Sequence, residues 1–138
     1  MKNSIDILNG VVIKEDLDDY DHLAMPNYLK IINNGICTLS NSIFNENKSN
    51  KSKKRLVAAR CNLEFKNELL IGNSWILNIH LSEFDNKYLN FNLKIISNKQ
   101  IKARAKMVVV AFDINSRKSV ILNSQEIESL KDFFYLHQ

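Results

Sequence analysis

Glycine and proline are scarce in this chain, with three Gly and one Pro among 138 residues. That leaves no Pro-rich linker, and no phosphate-binding glycine loop, dinucleotide fingerprint or Gly-x-Ser-x-Gly nucleophile elbow is present. Cysteine is equally sparse. Cys37 and Cys61 cannot build a disulfide framework or a metal site. Each falls in an apolar-periodic segment and is expected to be a buried, reduced thiol. No apolar run approaches the roughly 20 residues that span a bilayer. The N-terminal Met1-Lys-Asn-Ser-Ile-Asp carries a cation and an acid where a signal peptide has an apolar core. A cytoplasmic protein with no membrane partner is expected.

What is present is the composition of a folded domain. Hydrophobic residues make up 45% and charged residues 25%, which excludes global disorder. The length suits a single domain over residues 1–138. The net charge is +4 and the pI about 9.1, with much of the excess in the run Lys48-Ser-Asn-Lys51-Ser-Lys53-Lys54-Arg55. Such a run suits a solvated loop and also suits phosphates. No DNA- or RNA-binding signature accompanies it, so no nucleic-acid partner is expected.

Hydrophobic periodicity divides the chain cleanly. Ile5, Ile7, Val11 and Ile13 alternate, which predicts an extended segment with a bulge or bend at Gly10. A polar loop, Asp16-Leu-Asp18-Asp19-Tyr20-Asp21-His22, follows. Pro26 then opens a helix of about 18 residues, with Tyr28, Ile32, Ile36, Leu39 and Ile43 at helical spacing beside Leu29, Ile31 and Phe44. Gly35 in its middle predicts a close packing contact, since Gly costs about 1 kcal/mol there against Ala.

From Arg55 the period becomes two. Cys61, Leu63 and Phe65 define one strand; Trp75, Leu77, Ile79 and Leu81 a second; Leu89, Phe91, Leu93 and Ile95 a third. Ile101, Ala103, Ala105, Met107, Val109 and Ala111 define the fourth. Turns are expected at Asp85-Asn86 and Asn98-Lys99, a short piece at 119–122 and a closing helix at 125–134. The meander's apolar face is the one surface large enough to bury the long helix, so the sheet must wrap it. The class is α+β.

This order of elements resembles the hotdog fold. Within it, the segment from Glu15 to Leu29 resembles the signature of acyl-CoA thioesterases related to 4-hydroxybenzoyl-CoA thioesterase, roughly Asp-x-x-Gly-His/Ile-Val-x-x-x-x-Tyr-Leu. Asp18, His22 and Tyr28 fall in register without a gap, and the resemblance runs from about Ile7 to Asp113. Two positions depart: the usual Gly is Asp21, and a common Asn is Ala24. The acid that one branch carries on the central helix is also missing, where Asn33 and Asn34 stand.

The resemblance implies hydrolysis of an acyl-CoA thioester with no cofactor, coenzyme A being part of the substrate. Asp18 is then the nucleophile or general base, which suits a carboxylate near the positive end of a helix. The Met25 backbone N–H is the implied oxyanion donor among the free amides of the first turn. His22 polarises the carbonyl, holds a water or bonds across the loop. Asp16, Asp19 and Asp21 suit solvation or capping, since acids gather at helix N-termini. Tyr28 belongs to the helix's apolar face, with its hydroxyl directed to the site. Lys87, with Lys53, Lys54 and Arg55, is implied in binding the nucleotide phosphates. His80 is given no role, and Arg60 and Arg104 are left to an interface or to pairing with acids.

The loop and the segment Glu83-Phe-Asp-Asn-Lys-Tyr-Leu-Asn-Phe also resemble the branch tied to carnitine and betaine catabolism, which implies a small polar, quaternary-ammonium acyl group. The hotdog relatives further imply a homodimer or tetramer with sites shared between protomers. Val108, Val110 and Phe112 on the second face of their strand would add apolar surface for assembly. The Asp21 and Ala24 departures keep open a different class, a non-hydrolytic module that binds or scaffolds acyl thioesters.

Overall fold

The wide apolar stripe of the long helix and the one-sided strands meet as the sequence requires. The computed structural model describes residues 4–44 and 53–136; the Lys48 and Lys51 part of the basic run lies outside them. Strands β1 (Ser4–Val11), β2 (Lys54–Phe65), β3 (Ser74–Phe84), β4 (Leu89–Ser97), β5 (Gln100–Asp113) and β6 (Lys118–Val120) form one antiparallel sheet. Its order is β1-β3-β4-β5-β2, with β6 paired to β5. Helix α1 (Met25–Phe44) lies on the inner face, and α2 (Ser124–Leu136) packs beside it. This is the hotdog architecture.

Helix α1 buries Tyr28, Ile31, Ile32, Ile36, Leu39, Ile43 and Phe44 against inward residues such as Leu77, Ile79, Phe91 and Leu93. Leu29, expected on this stripe, instead faces solvent because it sits beside the stripe's edge at the first turn. Gly35 is the close contact that its position suggests: a Cβ there would lie 2.5 Å from Leu77 Cδ2. The helix is also tied to β2 by a hydrogen bond, Leu56 N–H donating to Ser40 Oγ at 3.0 Å.

Several sequence expectations need correction. The bulge in β1 falls between Asp6 and Leu8, ahead of Gly10. One extra residue reverses the side-chain parity, so Val12 is buried while Val11 and Ile13 are half exposed. Gly10 serves differently, as a seat for the Trp75 ring: a Cβ would lie 2.5 Å from the indole. Both cysteines are exposed. Cys37 falls on the solvent side of α1, and Cys61, though opposite Met107, stays exposed on the edge strand β2. In the described sheet the edges are β1 and β2, and the strands from Leu89 and Ile101 are interior. Val108, Val110 and Phe112 are half-buried on the outer face.

Candidate active site

The polar loop between β1 and α1 folds as a compact turn held by its own backbone. Asp18 N–H donates to the His22 carbonyl at 3.0 Å, and Asp21 N–H to the Asp18 carbonyl at 3.1 Å. Leu17 and Leu23 bridge across its neck. The turn needs one residue in the left-handed region, and Asp21 supplies it with φ 61°. Short polar side chains tolerate that conformation better than most. Asn27 anchors the loop to the helix, its Nδ2 donating to the Asp16 carbonyl at 2.8 Å.

This turn directs two side chains into one pocket. Asp18 Oδ1 accepts the Tyr20 N–H at 2.9 Å, and Oδ2 lies 3.2 Å from His22 Nε2. His22 Nδ1 in turn lies 3.3 Å from Glu68 Oε2. The imidazole thus sits between two carboxylates. The pocket holds about 320 Å³ and is lined by Asp18, His22, Met25, Tyr28, Phe65 and Glu68, among others. Tyr28 is buried, with its ring edge-on to Phe65 at 5.1 Å. Burial pushes its phenol above the ordinary value, a hydrogen bond with the Leu69 backbone draws it partly back, and the Glu68 and Asp18 charges add to the rise. It therefore remains a neutral donor at physiological pH.

Met25 opens α1 at the same pocket. Pro26 follows it and has no N–H. Among the described residues the Met25 N–H has no acceptor. A carboxylate, a half-buried imidazole and the first residue of a helix thus line one pocket. No group of three or more His, Cys, Asp or Glu side chains among the described residues converges on a metal-sized site.

The family model of the thioesterase-like superfamily matches residues 12–131. The chain belongs to that superfamily. Solved structures agree on the fold. A hypothetical protein from Staphylococcus aureus in complex with CoA superposes with a TM-score of 0.82 at 15% identity, covering 100% of this chain and 86% of that one. A 1,4-dihydroxy-2-naphthoyl-CoA thioesterase from Synechocystis gives 0.75 at 15% identity, covering 94% and 96%. No curated protein matches the chain in sequence.

Within this member of the thioesterase-like superfamily, the loop residues singled out from sequence come together but the cations do not join them. Asp18, His22, Met25 and Tyr28 share the pocket, at the Phe65 end of β2. Lys54 and Arg55 begin the same strand, so they stand on the order of 35 Å away along it. Lys87 is at that far end too, in the β3–β4 turn, where the neighbouring Asn86 carbonyl accepts the Leu122 N–H. Lys54 is moreover engaged, its Nζ 2.9 Å from Glu126 Oε1, a half-buried pair that pins α2 to the sheet. Arg55 donates to the Lys54 carbonyl at 2.7 Å. Lys53 is exposed, and Lys87 rests over the Tyr88 ring.

Sequence reasoning missed Glu68 and Phe65 as site residues. Glu68 lies in a loop with no motif around it, 46 positions from His22, and only the fold brings them together. Phe65 ends a strand whose alternation marks it as core, yet it is half exposed at the pocket wall.

Proposed function

We propose that this chain hydrolyses an acyl-CoA thioester to a free acid and coenzyme A. One observation carries the reading: Asp18 and Met25, the first residue of α1, line the same pocket, and no acceptor takes the Met25 N–H among the described residues. With the thioester carbon beside Asp18, the carboxylate takes a proton from water as the water oxygen bonds to that carbon. The Met25 N–H holds the charge that gathers on the carbonyl oxygen. Collapse breaks the C–S bond, and the proton held on Asp18 passes to the departing thiolate. Asp18 can also attack directly, breaking the C–S bond and expelling the coenzyme A thiolate to leave an acyl-aspartyl anhydride. Water then opens the anhydride, restoring the carboxylate and giving the free acid, and its spare proton goes to the thiolate. In either course His22 aims the Asp18 carboxylate, and Tyr28 donates from the buried wall.

The acyl group is proposed to be small and polar, of the carnitine or betaine type. Two carboxylates, Asp18 and Glu68, and the Tyr28–Phe65 aromatic pair line the pocket, and a quaternary ammonium is drawn to both kinds of surface. The nucleotide phosphates fall to Lys87 and Arg55, with Lys53 and Lys54 beside them, from a second protomer in a homodimer or tetramer.

The test is thiol release from a panel of acyl-CoAs: simple aliphatic, aromatic and quaternary-ammonium. Turnover on any of them supports hydrolysis, and a preference for the last supports the acyl assignment. Saturable binding of acyl-CoA without turnover on any chain assigns the protein instead to the non-hydrolytic binding class.

A further inference from the structure

A cavity larger than the Asp18 pocket lies elsewhere on the molecule. It holds about 520 Å³ on the outer face of the sheet, with the core between it and α1. Ligand sites commonly enclose about 300–1,000 Å³. Two rows of side chains, in register across all five long strands, build it. One row runs Asn62, Lys106, Asn92, His80, Ser4 from β2 to β1. The next runs Glu64, Arg104, Lys94, Asn78, Asp6.

The charge arrangement in these rows is unbalanced. Lys94 stands directly opposite Arg104, and Lys106 follows Arg104 two positions on, on the same face. Like charges directly opposite on a sheet repel. The acids that end the second row are engaged elsewhere in part, although Glu64 stands opposite Arg104 at the β2 rim. Glu64 is paired with Lys66 at 3.1 Å, and Asp6 accepts Asn78 Nδ2 at 2.9 Å. Among the described residues, Lys94, Arg104 and Lys106 have neither an ion pair nor a side-chain hydrogen bond. Three cations therefore line one trough, flanked by the donors of Asn62, Asn92 and His80, with the Glu64 carboxylate at its β2 rim as the one acid of the lining. Self-association through this face by a two-fold axis at its centre would set the same three cations against each other.

We infer that this outer-face trough binds a small polyanion carrying adjacent phosphate groups, a di- or triphosphate. The anion sits between Lys94, Arg104 and Lys106 and relieves their mutual repulsion, with the asparagine amides as neutral donors. The site stands apart from the Asp18 pocket, which occupies the other face and one end of the sheet.

Pyrophosphate and ATP, titrated separately into the full chain and followed through backbone amide resonances, test it. Both are expected to shift the amides of Asn78, Asn92, Lys94, Arg104 and Lys106 at millimolar concentration or below. Equal response to both makes the ligand a bare polyphosphate; response to ATP alone makes it a nucleotide. Arg104→Gln with Lys106→Gln should weaken the response by about tenfold, and Lys94→Gln alone, at an exposed position, serves if the double variant does not fold. Shifts confined to the His22 loop, no shift at all, or unchanged binding by the variants would each overturn the assignment. Tighter binding of a single-stranded oligonucleotide than of ATP at these resonances would also overturn it, in favour of nucleic acid.

Discussion

His22 Nδ1 and Glu68 Oε2 meet at 3.3 Å, which closes a line of three groups, Asp18–His22–Glu68, across the mouth of the pocket. A partner on one ring nitrogen fixes which face of an imidazole the other presents. Glu68 therefore positions His22, and through it Asp18. On a simple aliphatic acyl-CoA, where Glu68 has no charge to attract, Glu68→Ala should lower kcat by roughly tenfold, about 1.4 kcal/mol at the barrier, with the KM and the melting temperature unchanged. Glu68→Gln keeps an acceptor and should recover part of the loss. The nitrogen shifts of the His22 ring, which a purely structural role would leave alone, should change in the Ala variant.

Asp18 is the group on which the proposed hydrolysis turns. Asp18→Asn is nearly isosteric and keeps an oxygen for the Tyr20 N–H, so the loop should stay folded. It removes the nucleophile or base, and turnover on the best substrate should fall by at least about a hundredfold. Near-normal turnover would move the chemistry off this residue.

Asp21 holds a left-handed backbone at the position where the signature it resembles carries glycine, so the departure keeps the turn's shape. Asp21→Gly should leave turnover within about twofold and stability within about 1 kcal/mol, as steric relief and added chain entropy oppose each other. Asp21→Ala lacks both glycine's freedom and the short polar side chain, and should cost about 1–2 kcal/mol. Thermal melts of the three proteins give the comparison directly.

These outcomes mark what a linear sequence can carry. The four long strands and α1 were legible because a period of two and a period of 3.6 are local signals, and the Asp18–His22–Tyr28 spacing was legible because one short loop holds it. The β1 bulge was not, because inserting one residue leaves alternation on both sides and only changes its phase. Glu68 was not, since its relation to His22 arises from chain closure over 46 positions. The cysteines misled for a related reason: periodicity tells which face a residue takes, but Cys61 is uncovered because β2 is an edge, which is a property of strand order.

Two glycines sit against side chains of different stiffness, and that separates their substitutions. At Gly10 a new Cβ meets the Trp75 ring at 2.5 and 2.8 Å, and a ring cannot fold aside. Gly10→Ala should therefore destabilise by about 1–3 kcal/mol through overpacking. At Gly35 the neighbour is the terminal methyl of Leu77, which can rotate. Gly35→Ala gains up to about 1 kcal/mol of helix propensity, which offsets the repacking, so its unfolding midpoint should stay close to that of the parent. Denaturant unfolding should rank Gly10→Ala clearly below Gly35→Ala.

The last prediction concerns where the coenzyme A cations come from. Within one protomer they are misplaced, because Arg55 and Lys87 lie at the opposite end of the sheet from Asp18. Strand β2 is a 12-residue edge with unpaired backbone groups, and its exposed Ala58 and Ala59 offer little to blunt it. Pairing β2 with its copy about a two-fold axis would run the two strands antiparallel, which brings the partner's Lys54 end beside this protomer's Phe65 end. A homodimer is the expected minimal unit, and light scattering at micromolar concentration should give a mass of at least about twice 16.0 kDa. Lys87→Ala should raise the KM for acyl-CoA more than for a thioester lacking the nucleotide. Co-expressed Asp18→Asn and Lys87→Ala chains then make the decisive sample. Each mixed dimer has one site with both lesions and one with neither, so wild-type KM should reappear in a fraction of the sites. If the mixture shows only the average of its two parents, or if a monomer hydrolyses the substrate, the site is not shared between protomers.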